Sequence, residues 1–248
     1  MLEDQRIAAR IVSDVLLELK DLTKPGVSLD MLDELAERRM REAKGEPYNK
    51  GYQPHWSESP YPNTICASVD FEVCHAPPRG RTLQEGSIVK YDLAVRYKSR
   101  CGDAALTVAV GEIDNRKQRA MRYGLEALHK GIEVVKAGVP ISLIGHTIDQ
   151  FAMSRGYMVI KEFAGHHISK EMHEEPLIPH QYLEEYDNQF LKEGSVICIE
   201  PIITPGNGKI NIWKDGWTAY CLDDQPVVMF EAMILVKKDG HEVLTTHL

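Results

Sequence analysis

The sequence predicts an α+β protein folded as one domain from two similar halves, and three observations carry this. Leu83-Gln-Glu-Gly-Ser-Ile-Val-Lys-Tyr-Asp92 and Leu191-Lys-Glu-Gly-Ser-Val-Ile-Cys-Ile-Glu200, about 108 residues apart, read almost alike. Each is a Gly-marked turn running into a β-branched strand, with a carboxylate at the same place. Upstream of each lies a second echo, Lys24-Pro-Gly-Val-Ser28 and Lys136-Ala-Gly-Val-Pro140, leading into a helical pattern. The order helix, helix, strands then occurs twice. The spacing is far beyond the 20–50 residues of a solenoid repeat. No Ser- or Gly-rich linker separates the halves, placed at about residues 1–111 and 112–248.

The elements follow in order. Ile7, Ile11, Val15 and Leu19 recur at helical spacing over residues 3–20, and Pro25-Gly26 stops the pattern. Ser28 is placed to cap a second helix, with Leu29, Leu32, Leu35, Ala36 and Met40 inward and Gly45 near its end. Residues 46–63, with four prolines among aromatics, predict a loop lying over something. Strands are expected at 64–74, 87–97 and 103–111. A third helix covers roughly 114–136, and Ser142 is read as the cap of a fourth that ends near Gly156. Strands resume at 157–163, 195–203 and 226–237.

Composition narrows the function classes. A net charge of −8 and a pI near 5.7 argue against a general nucleic-acid or membrane-surface binder. Five cysteines without a C-x-x-C pair fit reduced thiols in a cytoplasmic protein better than a disulfide framework. The N-terminal residues lack the features of a signal or transit peptide, and no apolar run approaches bilayer-spanning length.

Chemistry concentrates on acids and histidines. If strands 88–97 and 103–110 form a hairpin turning near residues 97–98, Asp92 and Asp103 are direct cross-strand neighbours. Two such carboxylates repel unless a cation sits between them. Taken alone, the commoner arrangement is both acids facing water. Glu231, in Val227-Val-Met-Phe-Glu-Ala-Met-Ile-Leu-Val236, and Glu200, in Val196-Ile-Cys-Ile-Glu-Pro-Ile-Ile203, are harder to dismiss. A carboxylate in an apolar run must be paired or ligating, and neither strand offers a basic partner nearby. Gly165-His-His-Ile168 precedes His173-Glu-Glu-Pro176, so one ring can join the carboxylates while another addresses a substrate. His75 lies just before the first acid-bearing strand, as His173 lies before the second.

These residues resemble the methionine aminopeptidases. Asp92, Asp103, His166, Glu200 and Glu231 are similar, in order and surroundings, to that family's five metal ligands. Cys66 followed by His75, Gly-His-x-Ile, His-Glu-Glu-Pro, Ile-Glu-Pro and Trp217 complete a motif set spanning nearly the whole chain. The resemblance implies the pita-bread fold: two pseudo-symmetric halves with antiparallel sheet and helices outside, in its type I form. It implies two divalent ions, Co, Mn, Fe or Zn, an assignment that an oxygen-rich set with one imidazole also suits. Four carboxylates exceed the charge of one such ion, and a two-ion site can activate a water and polarise a carbonyl. Glu200 is then the general base, His173 the oxyanion donor, and His75 a contact at the scissile bond that helps protonation. Tyr61, Cys66, Met172 and Trp217, with His75 and His173, are the expected pocket residues. The implied partners are the N-termini of nascent polypeptides, with the ribosome as a further one, met by a monomeric enzyme.

The chain also departs from the family's pattern. His167 stands where the family usually has Gly, and Met172 replaces a large aromatic before His173. Met229 and Ala232 replace Gln and His around Glu231, and Ala104-Ala105 replace Thr/Cys-Ser after Asp103. The segment His55–Pro60 is rebuilt. No metal ligand is lost. Removal of N-terminal methionine leads; the altered pocket keeps a proline-directed pita-bread peptidase in view, and the intact ligand set weighs against a non-enzymatic, partner-binding relative.

Overall fold

The computed structural model describes residues 2–248. Helix α1 (Leu2–Leu22) buries Ala8, Val12, Val15, Leu16 and Leu19 along one stripe. Helix α2 (Leu29–Glu42) is capped as expected, the Ser28 hydroxyl accepting from the Met31 N–H. A short edge strand β1 (Glu46–Pro47) precedes the expected loop. Next come β2 (Cys66–Val69), β3 (Ile88–Tyr97) and β4 (Arg100–Ala109). Strand β3 is the spine of this first sheet, with β4 along one side and β2 and β1 sharing the other.

The second half repeats the plan with more strands. Helices α3 (Asn115–Glu133) and α4 (Ile141–Ser154) lead into β5 (Met158–Val159), β6 (Ala164–His167) and β7 (Glu174–Pro179). Then follow β8 (Val196–Ile199), β9 (Ile202–Thr204), β10 (Ile210–Ile212), β11 (Ala219–Cys221), β12 (Val228–Met229), β13 (Ala232–Lys237) and β14 (Gly240–Val243). The main sheet runs β14-β13-β8-β6-β7, every neighbour antiparallel. The principal core joins α1 and α2 to α3 and α4 through residues such as Leu16, Leu32, Tyr91, Leu128, Ile148 and Ile199, all fully buried.

The echoes in sequence become matched hydrogen bonds. Gly26 N–H donates to Leu83 O, and Gly138 N–H to Leu191 O; Leu83 N–H returns to Val27 O, and Leu191 N–H to Val139 O. Gly86 and Gly194 both sit in the left-handed region, at φ +82° and +84°, where a side chain would be strained.

Three expectations are corrected. The β3–β4 hairpin turns at Lys98-Ser99, so Asp92 faces Ala105 and Asp103 faces Ala94. The two acids share a face of the sheet as diagonal neighbours, not direct ones. Ser142 does not cap α4: Pro140 holds that position without a side-chain bond, and Ile141 N–H is taken by Gln189 O across the repeat contact. The predicted strands 195–203 and 226–237 are each broken, at Glu200-Pro201 and Phe230-Glu231. Pro201 has no N–H for a ladder, so the sheet opens where the acids stand.

Candidate metal centre

The five residues Asp92, Asp103, His166, Glu200 and Glu231 line one cavity of about 690 Å³. Strand β3 carries Asp92, β4 carries Asp103 and β6 carries His166. Glu200 leaves the end of β8, and Glu231 enters the start of β13. The halves meet here through the backbone, Glu231 N–H donating to Ala105 O at 3.0 Å. His166 Nε2 lies 3.6 Å from Glu200 Oε1 and 3.8 Å from Asp103 Oδ2. Its Nδ1 meets the His167 carbonyl at 3.0 Å, which fixes the ring with Nε2 toward the acids.

The electrostatics of this cluster call for cations. Burial pushes the Asp92 carboxyl up to about 7. It lifts Asp103, Glu200 and Glu231 well above the carboxylate range, and the neighbouring carboxylates lift them further. Among the described residues no Lys or Arg pairs with any of the four. Glu231 Oε1 is buried with no hydrogen-bond partner. Burial also drives His166 down to about 3, so its ring is neutral and free to ligate. Four crowded carboxylates, an orphaned acceptor and a neutral imidazole fit bound divalent ions.

The histidines assigned to substrate flank the cluster. The His173 ring stands edge-on to His166, centroids 4.5 Å apart, and its Nδ1 lies 2.8 Å from the Tyr52 hydroxyl. His75 sits at φ +58°, a conformation unusual for a residue with a Cβ. The surrounding backbone holds it there: Ala219 N–H donates to Cys74 O, and Ala67 N–H to Ala76 O. Burial lowers both rings to about 4. Tyr61, Cys66 and Trp217 pack together as a buried apolar cluster, and Met172 is buried in the same cavity wall.

The chain matches the model of metallopeptidase family M24 over residues 3–238. The chain belongs to metallopeptidase family M24. It is 33% identical over 240 residues to methionine aminopeptidase 1 of Bacillus subtilis, a match covering 97% of this chain and 94% of that one. The methionine aminopeptidase structure from Rickettsia prowazekii superposes with a TM-score of 0.92 at 30% identity, covering 99% of this chain and 98% of that one. X-Pro aminopeptidase from Thermotoga maritima matches at a TM-score of 0.75 and 21% identity, covering 99% of this chain and 60% of that one, a likeness of fold. The M24 architecture is the pita-bread fold, with two pseudo-symmetric halves, as expected from the repeats.

Several residues of this M24 site carry no obvious signal in sequence. Tyr52, the partner of His173, and Trp56, which stacks on His75 and meets Trp217 edge-on at 5.1 Å, come from the irregular loop. Phe163 stands edge-on to His75 at 5.4 Å. His180, at the end of β7, accepts from Gly165 N–H and Glu200 N–H through Nε2, tying β6 to the strand break at Glu200. A histidine closing the apolar run Leu177-Ile-Pro179 was the available clue. His167, by contrast, hydrogen-bonds Pro176 O and stays out of the cavity.

Proposed function

We propose that this M24 chain removes the N-terminal methionine from polypeptides, with Asp92, Asp103, His166, Glu200 and Glu231 holding two divalent ions. The observation that carries the reading is the cluster of four carboxylates and a neutral imidazole, without a basic partner, opening onto an apolar cavity. Bound there, the ions supply Lewis-acid polarisation of the scissile carbonyl and a lowered water pKa. The remaining work falls to the protein. Glu200, whose carboxylate faces the cavity, takes the proton from the attacking water. The Tyr52 hydroxyl donates to His173 Nδ1, which leaves the proton on Nε2, the nitrogen that stabilises the developing oxyanion. His75, neutral at physiological pH, hydrogen-bonds at the leaving nitrogen while Glu200 passes to that nitrogen the proton it took from the water. Tyr61, Cys66, Met172 and Trp217 enclose the methionine side chain away from water.

On this reading residues 1–248 form a single catalytic domain of two half-repeats. It acts as a monomer in the cytoplasm, on chain ends emerging from the ribosome. The five unpaired, buried cysteines support a reducing compartment. No helix among the described residues is long and apolar enough to cross a membrane. The test is hydrolysis of Met-Ala-x against x-Pro peptides by the purified protein reconstituted with Co²⁺ or Mn²⁺. Release of methionine from the first series supports the assignment. Cleavage confined to x-Pro peptides, or none with metal bound, overturns it.

A further inference from the structure

A fully buried thiol that does not itself line the cavity packs behind the five residues assigned to metal. Cys198 on β8 lies two residues before Glu200, which follows the end of that strand. It is paired with His166 across the β6–β8 ladder. Ligating atoms of Asp103, His166, Cys198 and Glu231 all lie within 4.8 Å of one another, and all four residues are buried. Tetrahedral sites with metal–nitrogen, –oxygen and –sulfur bonds of about 2.0–2.3 Å place their ligand atoms roughly 3.3–3.8 Å apart, so a small contraction closes this group on an ion. Glu231 belongs to the same group; its carboxylate is within hydrogen-bonding reach of the Cys198 thiol, and its Oε1 is buried with no hydrogen-bond partner. The remaining four cysteines are also free and buried, but none joins this group.

We propose that Cys198 is a sulfur ligand to the ion held by Asp103, His166 and Glu231. Coordination replaces its S–H bond by a sulfur–metal bond and releases the proton to solvent. The pair of ion sites is then unequal: one subsite combines nitrogen, sulfur and oxygen donors, while the other, toward Asp92, is oxygen-only. A thiolate favours Zn²⁺ or Co²⁺ over the harder Mn²⁺, so the sulfur sets which ion this centre retains. This inference rests on the metal reading above and assigns one more residue to it.

The experiment loads the anaerobically purified full chain with Co²⁺, measures bound cobalt by elemental analysis, and records the near-ultraviolet spectrum. A sulfur-to-cobalt charge-transfer band is expected in the wild type and in Cys66→Ser, and should vanish in Cys198→Ser and Cys198→Thr. Competition should show the preference for Co²⁺ over Mn²⁺ falling by about 10–100-fold in the Cys198 variants, the scale set by disturbing a metal's ligand environment. Bound cobalt with no band in the wild type, or a band lost in Cys66→Ser instead, overturns the role of Cys198 and leaves the metallopeptidase reading standing. Failure of the wild type to bind cobalt overturns both.

Discussion

At the scale of single residues, His173 and Glu200 separate two kinds of work. His173 reaches the cluster through its ring edge and is oriented by Tyr52, whereas Glu200 stands among the carboxylates themselves. His173→Ala should therefore keep its metal while kcat falls by roughly 10²–10³-fold, the loss expected for one oxyanion donor. Glu200→Gln should lose both metal and activity. Elemental analysis alongside steady-state kinetics checks the pair, and equal metal loss in both variants would place His173 among the ligands. On the proposed reading, Met172 governs selectivity instead. A flexible thioether fills the wall where the family resemblance leads one to expect an aromatic ring, and a hydrophobic pocket rejects a missing methylene by only about 1–3 kcal/mol even when rigid. Leu- or norleucine-initiated peptides should accordingly be cleaved more readily, relative to Met, than by a relative with the aromatic wall. Matching Met-to-Leu ratios of kcat/KM in the two enzymes would show a pocket rebuilt to the same stringency.

At the scale of elements, the site depends on how closely strands approach. Gly165, just before His166, has no room for a side chain: a Cβ there would lie 2.2 Å from Cys198 O and 3.2 Å from His180 Nε2. Backbone cannot yield as a side-chain tip can, so Gly165→Ala should part β6 from β8 and cost about 1–3 kcal/mol. His166 moves with β6, so metal affinity should fall in the same variant; urea unfolding and a metal titration read the two effects. The acid-bearing strands were legible in sequence because a carboxylate inside Val-Ile-Cys-Ile or Val-Met-Phe has no cheap apolar explanation. Their register was less so. Lys98-Ser99 carries none of the Gly, Asn or Asp that marks a tight hairpin, although Lys98 takes a positive φ there. A turn placed one residue early turns diagonal neighbours into direct ones. The cap of α4 was misplaced for another reason: its first N–H is satisfied by a segment some fifty residues away, which local sequence does not announce. Trp56 and Tyr52 lie in a stretch without periodicity, where only tertiary packing assigns a direction.

At the scale of the whole molecule, the centre is a store of electrostatic cost that ions relieve. An ion-free folded chain keeps a proton on Asp92 up to about pH 7, whereas the unfolded chain releases it near the ordinary value of about 4. Between those values the folded state binds more protons. The contribution of this group is thus fully present below about pH 4 and is lost as pH rises through 7. Asp103, Glu200 and Glu231 shift in the same direction. The Tm of chelator-treated protein should fall between pH 5 and pH 7.5 while that of metal-loaded protein does not, so the gap between them widens; a constant gap would mean that these carboxylates are not the groups relieved. The seam itself carries a further consequence. Two of the acids, Asp92 and Asp103, belong to the first half and two to the second, and backbone bonds such as Glu231 N–H to Ala105 O and Cys101 N–H to Ser169 O join the halves. On the proposed reading neither half owns a complete site, so the ions would be rivets as well as reagents. A chain severed in the Gly111–Asp114 connector should reassemble from its two pieces more tightly in the presence of Mn²⁺ and come apart when the metal is chelated, a behaviour that size-exclusion chromatography of the co-expressed fragments reads directly.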